Sequence, residues 1–265
     1  MITSSSNGRI KYIMTLMQKS KFRKKEGRFI IEGTRIFEEA PIADIEEVYI
    51  NEASFDSFSI EVKDKLKKVR YELVTESVFK KISDTVTPQG ILCVMKINSS
   101  DISDLIKDDK ALVIILENIQ DPGNLGTIVR TSEGAGVTGI IMSEDCVDLY
   151  NPKVIRSTMG SIFRQKICFV CDVKEALTEC KKKDIHSYAC ALDKKAKEYT
   201  EFDFTKKSAI VIGNEGNGLN DETIKACDDT CFIPMCGEVE SLNASMAAGI
   251  MMYEALRQRK INTKK

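Results

Sequence analysis

Three glycines fall within six residues, Gly213, Gly216 and Gly218 in the run IVIGNEGNGLN, interleaved with Asn214, Glu215 and Asn217. Glycine at that density leaves main-chain N–H and C=O groups bare. The apolar residues before it predict that the run leaves the carboxyl end of a strand, where open α/β sheets hold ligands. No lysine accompanies the glycines, so recognition falls to main-chain amides and carbonyls; an adenine ring suits such a site and a triphosphate does not. Downstream, TCFIPMCGEVESLNASMAAGIMMYEALRQ brings Ile233 and Met235 around Pro234, then Ser241, Leu242 and Asn243 where a helix should begin. Ala244, Ala247, Ala248 and Gly249 line that helix and would let a ligand or a second backbone come close. Ser241 and Asn243 are also simply good helix caps.

A second glycine cluster points elsewhere. GAGVTG, residues 134–139, has the Gly-x-Gly-x-x-Gly spacing of a dinucleotide-binding turn, which works only after a strand and at the opening of a helix. Here DPGNLGTIVRTSE precedes it, with turn chemistry at Asp121-Pro122-Gly123, Asn124 as a cap, and Leu125, Ile128 and Val129 at helical spacing. The order is therefore helix, glycines, strand. No acid follows in residues 151–166 to hold a ribose, and no Gly-Lys-Ser/Thr sequence cradles a phosphate. The hexapeptide reads as a helix stop with close helix–sheet packing, which removes the support for a nicotinamide-dependent oxidoreductase.

Other chemistry-bearing side chains offer less. His186 is the single histidine, lies on an expected strand outside every motif, and is read as a buried core residue. Nine cysteines, including Cys168-x-x-Cys171 and the series Cys227, Cys231 and Cys236, read as small buried hydrophobes in a reducing compartment. A zinc site needs about four ligands, and that series supplies three with no histidine beside it, so no metal is expected.

The elements that must position these residues follow from the hydrophobic pattern. From residue 111 onward, ALVIILENI, TGIIMS, KICFVC, HSYACAL, SAIVIGN and TCFIPM are apolar at nearly every position, as strands covered on both faces must be. Helical spacing separates most of them, so the expectation is an α/β domain with a mostly parallel sheet over residues 111–265. Residues 1–98 give a helix around KYIMTLMQ, apolar stretches at RFIIEG and EEVYI, a charged helix around IEVKDKLKKV, and TPQGILCVMKI, a small α/β domain of its own. The polar, acid-rich residues 99–110 are read as the linker.

Composition adds boundaries. The 265 residues carry a net charge of −1, but residues 1–35 hold nine Lys/Arg against two acids. A basic leading segment meets a polyanion or is a solvated first helix, and charge alone does not choose. The leading residues have no uninterrupted apolar stretch, and runs such as ALVIIL are too short to cross a bilayer, so a cytoplasmic chain away from membranes is expected.

Taken together, NLGTIVR with Asn124 and Arg130, then GNEGNGLN, then IPMCGEVESLNASMAAGIMMYEALRQ resemble the three signature motifs of the SpoU/TrmH branch of the SPOUT RNA methyltransferases. The resemblance covers roughly residues 111–259, and residues 1–98 resemble the small RNA-binding domain that such enzymes place first. It implies methyl transfer from S-adenosylmethionine to a ribose 2′-hydroxyl of RNA, ribosomal RNA ahead of transfer RNA, by a homodimer with a deep trefoil knot in the C-terminal domain. The alternative within the same family is a catalytically silent relative that only clamps RNA.

Carried over by position, the resemblance implies a cofactor pocket from Gly213, Asn214, Gly218, Ile233, Met235, Leu242 and Ala247. It places Asn124, Arg130, Glu215, Ser241 and Asn243 at the polar positions of the active site. With the basic leading segment, it assigns RNA contact to Lys21, Arg23, Lys24, Lys25 and Arg28. STMGSIFR at residues 157–164 departs from the family pattern, with Ser161 where a small apolar residue is usual.

Overall fold

The computed structural model describes residues 1–193, 195–239 and 241–262. In the first 98 residues the elements run α1 (Gly8–Gln18), α2 (Ser20–Glu26), β1 (Arg28–Glu32), α3 (Thr34–Glu39), β2 (Ile45–Asn51), α4 (Ile60–Leu66), β3 (Tyr71–Val74), α5 (Glu76–Ile82) and β4 (Ile91–Lys96). They continue as α6 (Ile102–Ile106), β5 (Leu112–Leu116), α7 (Pro122–Ala135), β6 (Gly139–Ser143), α8 (Pro152–Thr158), β7 (Ile167–Val170), α9 (Val173–Lys182) and β8 (His186–Cys190). The remainder is β9 (Lys197–Glu198), β10 (Ser208–Ile212), α10 (Asp221–Ala226), β11 (Asp229–Phe232) and α11 (Ala244–Asn262).

Two compact units result. The first, Met1–Asn98 with Asp148–Phe163, is built on a four-stranded sheet in the order β1-β4-β2-β3. Ile10, Ile13 and Leu16 of α1 and Val78, Phe79 and Ile82 of α5 pack with Ile30, Tyr49, Leu92 and Val94 of that sheet. The return of Asp148–Phe163 to this unit departs from the expected contiguous boundary. Its cause lies in packing: α8 buries Val154 and Ile155, the Tyr150 ring lies 4.8 Å from that of Phe29, and the Tyr150 hydroxyl donates to the Asn98 carbonyl at 3.4 Å. Ser161, the departure from the family pattern, is buried here with its hydroxyl donating to the Thr158 carbonyl at 2.7 Å.

The second unit, Ser99–Val147 with Arg164 onward, holds a seven-stranded sheet in the order β7-β6-β5-β10-β8-β11-β9, every neighbouring pair parallel. All five residues of β5, β6 and β10 are buried, as the unbroken apolar runs require. Val113, Ile115, Ala209 and Val211 face a core shared with α6 and α9. On the other side α7 and α11 pack together, with the Ser132 hydroxyl set 3.2 Å from the Met252 sulfur. Residues 99–110, expected as a linker, contain α6, whose Leu105 and Ile106 are buried in this core.

The GAGVTG segment has the order its context predicts. α7 ends at Ala135, Gly136 takes the left-handed conformation at φ 73°, and β6 starts at Gly139. A Cβ on Gly139 would lie 2.2 Å from the Leu105 side chain, so glycine is what lets α6 pack against the strand. One local reading is corrected: α7 begins at Pro122, and its cap is Asp121, whose carboxylate accepts the Asn124 N–H at 2.7 Å. Proline suits the first helical position because its missing N–H has no intrahelical partner there, and Asn124 is thereby released from capping.

Candidate functional site

The chain runs from β5 through α7 to β6 on one side of the sheet, and from β10 through α10 to β11 on the other. Since β5 and β10 are neighbours, the loops at their carboxyl ends diverge, which is the switch point where open parallel sheets form a ligand crevice. A cavity of about 460 Å3 opens at the β10 side of it. All seven residues expected to form a cofactor pocket, Gly213, Asn214, Gly218, Ile233, Met235, Leu242 and Ala247, line this cavity, together with Glu215 and Ser241.

Its central feature is a closed turn. The Asn214 N–H donates to the Gly218 carbonyl and the Gly218 N–H to the Asn214 carbonyl, each at 3.0 Å. The Asn214 side chain accepts from the N–H groups of Gly216 and Asn217 at 2.8 and 3.0 Å. A Cβ on Gly213 would fall 2.3 Å from the Gly218 carbonyl carbon, so two backbones occupy the space that any side chain would need. The cavity floor comes from the ends of β8 and β11, where Cys190 and Cys231 are in register and their sulfurs lie 3.7 Å apart. These residues, with Leu192 and Phe232, escaped the sequence reading, whose only available signal was that they end apolar runs.

Among the described lining residues the ionisable side chains are Glu215, Asp221, Cys190 and Cys231, with no lysine, arginine or histidine. The Cys190 thiol is pushed well up by its hydrogen bond with Cys231 and by burial, so it stays protonated. A cavity of this size is in the ~300–1,000 Å3 range of small-molecule sites. Its charge disfavours phosphates and favours a ligand that carries a positive centre.

Glu215 reaches out of the turn and across to the β5 loop. Its carboxylate accepts from the main-chain N–H groups of Gln120 and Asp121, both at 3.1 Å, and from the Asn124 side-chain amide at 3.0 Å. The Asn124 oxygen in turn accepts from the Asn243 amide at 2.9 Å, while the Asn243 oxygen accepts from the N–H of Ser245 and Met246 at the start of α11. Burial raises the Glu215 pKa, but the hydrogen bonds from Asn124, Gln120 and Asp121 outweigh it and hold the carboxyl below its ordinary 4.5. Three of the five expected catalytic residues thus form one chain of hydrogen bonds, and Ser241 is exposed at the cavity. Arg130 stands apart, exposed on α7, outside the cavity lining and with no hydrogen-bond or ion-pair partner among the described residues.

His186 is not the buried core residue expected from the sequence. It is the first residue of β8, in register with Ser208 at the opposite end of the sheet from the cavity, and its exposed ring pairs with Asp229 at 2.8 Å. Position at the strand start, where side chains leave the core, explains the exposure. Among the described residues no group of three or more His, Cys, Asp or Glu is arranged to hold a metal ion.

In the first unit Lys21, Lys24 and Lys25 are exposed on α2. Arg23 corrects the sequence reading: it is 3% exposed, its Nε donates to Asp148 at 2.8 Å, and Nη1 donates to the Leu16 and Met17 carbonyls at the end of α1. Its guanidinium is spent inside the unit, because those carbonyls lack intrahelical partners, and is unavailable to RNA. Arg28 is half-buried and paired with Glu46 and Glu26.

Comparison with known proteins gives a consistent assignment. Residues 111–253 match the SpoU rRNA Methylase family, and residues 7–93 match the MRM3-like substrate binding domain. The chain is 32% identical to an uncharacterized tRNA/rRNA methyltransferase of Synechocystis, over 97% of this chain and 94% of that protein. It is 29% identical to the 23S rRNA (guanosine(2553)-2'-O)-methyltransferase RlmP of Bacillus subtilis, over 95% and 97%. Among solved structures it resembles the SpoU methyltransferase AviRb from Streptomyces viridochromogenes in complex with AdoMet, with a TM-score of 0.86 at 26% identity over 96% and 98% of the two chains. It also resembles an AdoMet-bound rRNA methyltransferase from Sinorhizobium meliloti, with a TM-score of 0.83 at 26% identity over 97% of each.

Proposed function

The chain belongs to the SpoU rRNA Methylase family, and from that premise we propose that it methylates a ribose 2′-hydroxyl of ribosomal RNA with S-adenosylmethionine as donor. One observation carries this reading: the cavity at the sheet's switch point is walled by main chain and apolar groups, with carboxylates as its only charged side chains among the described residues. Such a lining suits a sulfonium cation and an adenine ring. The support for ribosomal RNA is the match of residues 7–93 to a substrate binding domain and the rRNA named for several relatives.

When bound, S-adenosylmethionine supplies an electrophilic methyl group. The Gly213–Gly218 turn and Ile233, Met235, Leu242 and Ala247 would hold it in the cavity they line. Glu215 does not serve as the base: its pKa is depressed and both its oxygens already accept hydrogen bonds. Its part is to fix Asn124, which with Asn243 and Ser241 orients the ribose. Much of the acceleration in such a transfer comes from holding nucleophile and electrophile in line. Arg130, which remains charged in any protein environment, binds the adjoining phosphate and stabilises negative charge on the attacking oxygen as the hydroxyl proton is released to solvent.

The reading includes a homodimer and the trefoil knot of the family. In support, Met246 and Tyr253, seven residues apart on one face of α11, are 58% and 53% exposed although large and apolar. It also places the protein in the cytoplasm with its RNA; no described helix is long and apolar enough to cross a membrane. The deciding experiment incubates the protein with labelled S-adenosylmethionine and unmodified total RNA, then fractionates the RNA by size. Label in an alkali-resistant linkage of the large ribosomal RNA is expected. Label confined to transfer RNA changes the substrate, and RNA binding without any label favours a silent relative.

A further inference from the structure

Glu117 is an acid set directly after the apolar strand β5, and it is buried, 7% exposed, although no cation pairs with it among the described residues. It spans the whole of the Gly213–Gly218 turn. Its main-chain N–H donates to the carbonyl of Ile212 at 2.9 Å, immediately before the turn. Its carboxylate accepts from the Asn220 N–H at 2.9 Å and from the Thr223 hydroxyl at 2.5 Å, two and five residues past its end. The neighbouring Asn118, held at φ 54°, receives the Asn214 side-chain amide on its carbonyl at 2.8 Å, which ties the turn's interior to the same strand end.

We propose that Glu117 is a positioning residue for the cofactor, acting through the turn: its backbone and side chain together set the distance between the turn's two ends, and so the width of the cradle formed by Gly213, Asn214 and Gly218. Six residues rich in glycine have little conformational preference of their own. The turn's own hydrogen bonds between Asn214 and Gly218 close it, but the placement of its flanks is set from outside, and Glu117 touches the chain on both sides of it. The arrangement is reciprocal with Glu215, which leaves the turn to hold the β5 loop; Glu117 leaves β5 to hold the turn. Glu215 serves the ribose side of the site and Glu117 the donor side.

The inference rests on the reading that this cavity takes S-adenosylmethionine, and the test separates the two. Calorimetric titration and steady-state kinetics are run on the full chain and on the variants Glu117→Gln and Thr223→Val. Glu117→Gln keeps the side chain's shape but replaces one acceptor oxygen with a donor. Its amide can still accept from the Asn220 N–H and donate to the Thr223 oxygen, but the charge on both bonds is gone. The variant is expected to raise both Kd and KM for S-adenosylmethionine about tenfold, the scale separating charge-assisted from neutral hydrogen bonds. The kcat at saturating donor and the KM for RNA should stay within about twofold, because uniform binding is what is lost. Thr223→Val, which removes one hydroxyl, should raise the donor KM about threefold. The double variant should fall short of the product of the two single effects, since Glu117 and Thr223 share one contact.

A purely structural role would lower the melting temperature without this split between KM and kcat. A folded Glu117→Gln protein with unchanged donor KM, or with a reduced kcat at unchanged KM, overturns the proposal. Should Glu117→Gln fail to fold, Thr223→Val decides, and an unchanged donor KM there overturns it equally. Failure of the unaltered protein to bind the donor overturns the functional reading itself, and the positioning role with it.

Discussion

The Asn124 side-chain amide donates to the Glu215 carboxylate at 3.0 Å across the loops of two neighbouring parallel strands, and through it the glycine-dense turn after β10 is joined to the first turn of α7. Glu215→Ala would leave the Asn124 amide and the N–H groups of Gln120 and Asp121 without their acceptor. Turnover should fall at least about tenfold, since each unsatisfied donor costs ~1–3 kcal/mol when it is shielded from water. The kcat at saturating donor reports it, and full activity in that variant would show that Asn124 needs no partner.

The same carboxylate sets a pH limit. Its folded pKa lies below its ordinary 4.5, so the stability it contributes is complete above that value and is lost as the pH falls through the lower, folded one. Donor affinity should therefore be flat from neutral pH down to about 5, and decline only in stronger acid. An inflection of donor binding near pH 6 that Glu215→Gln abolishes would contradict the assignment.

Arg130 is expected to serve the RNA phosphate and the transition state, and not the donor. Arg130→Lys keeps the charge but loses the bidentate fork that matches a phosphate. Turnover under single-turnover conditions should drop by about 100-fold or more, the scale for loss of an oxyanion-stabilising donor. Donor affinity by calorimetry should be unchanged, because Arg130 does not line the cavity.

Gly213 has no room for a side chain. In Gly213→Ala the new methyl would meet the Gly218 backbone at 2.3 Å, so the turn must open. Donor binding should weaken by about tenfold or more, with overpacking costing ~1–3 kcal/mol of stability. Binding of RNA by the first unit, followed by filter retention, should persist.

The basic residues of the first unit separate into two kinds. Replacing Lys21, Lys24 and Lys25 together by Glu should reduce the slope of log K against log salt for RNA by about 2, since each phosphate contact adds ~0.7–0.9. Arg23→Ala should instead destabilise the unit by ~3–5 kcal/mol, because the nearly buried Asp148 loses its partner. A salt slope unchanged in the lysine variant would move the RNA to another face.

Much of the architecture was legible in one dimension. A parallel sheet covered on both faces demands unbroken apolar runs, and all six such runs after residue 110 are strands. The order of helix, glycine and strand around GAGVTG was equally readable, because left-handed helix stops are a local property of the chain. The glycine-dense turn was placed at a strand end by the apolar run before it, while its grouping with the SLN segment in one cavity came from the family resemblance. Asn124 as a cap was misread since Pro122, two residues earlier, takes the first helical position.

The sequence by itself determined the fold class and the glycine-dense turn at a strand end, both of which depend on periodicity and on backbone chemistry confined to a few neighbours; the grouping of Ile233, Met235, Leu242 and Ala247 with that turn came from the family resemblance. Only the tertiary structure decided that Asp148–Phe163 rejoins the first unit, that Arg23 is buried on Asp148, that His186 faces solvent, and that Glu117 clasps a turn about a hundred residues away. The reason is physical: a charge in a linear sequence carries no mark of its partner. Whether it meets water, a nucleic acid or a buried amide is settled when distant segments pack and the remaining hydrogen-bond donors must be satisfied.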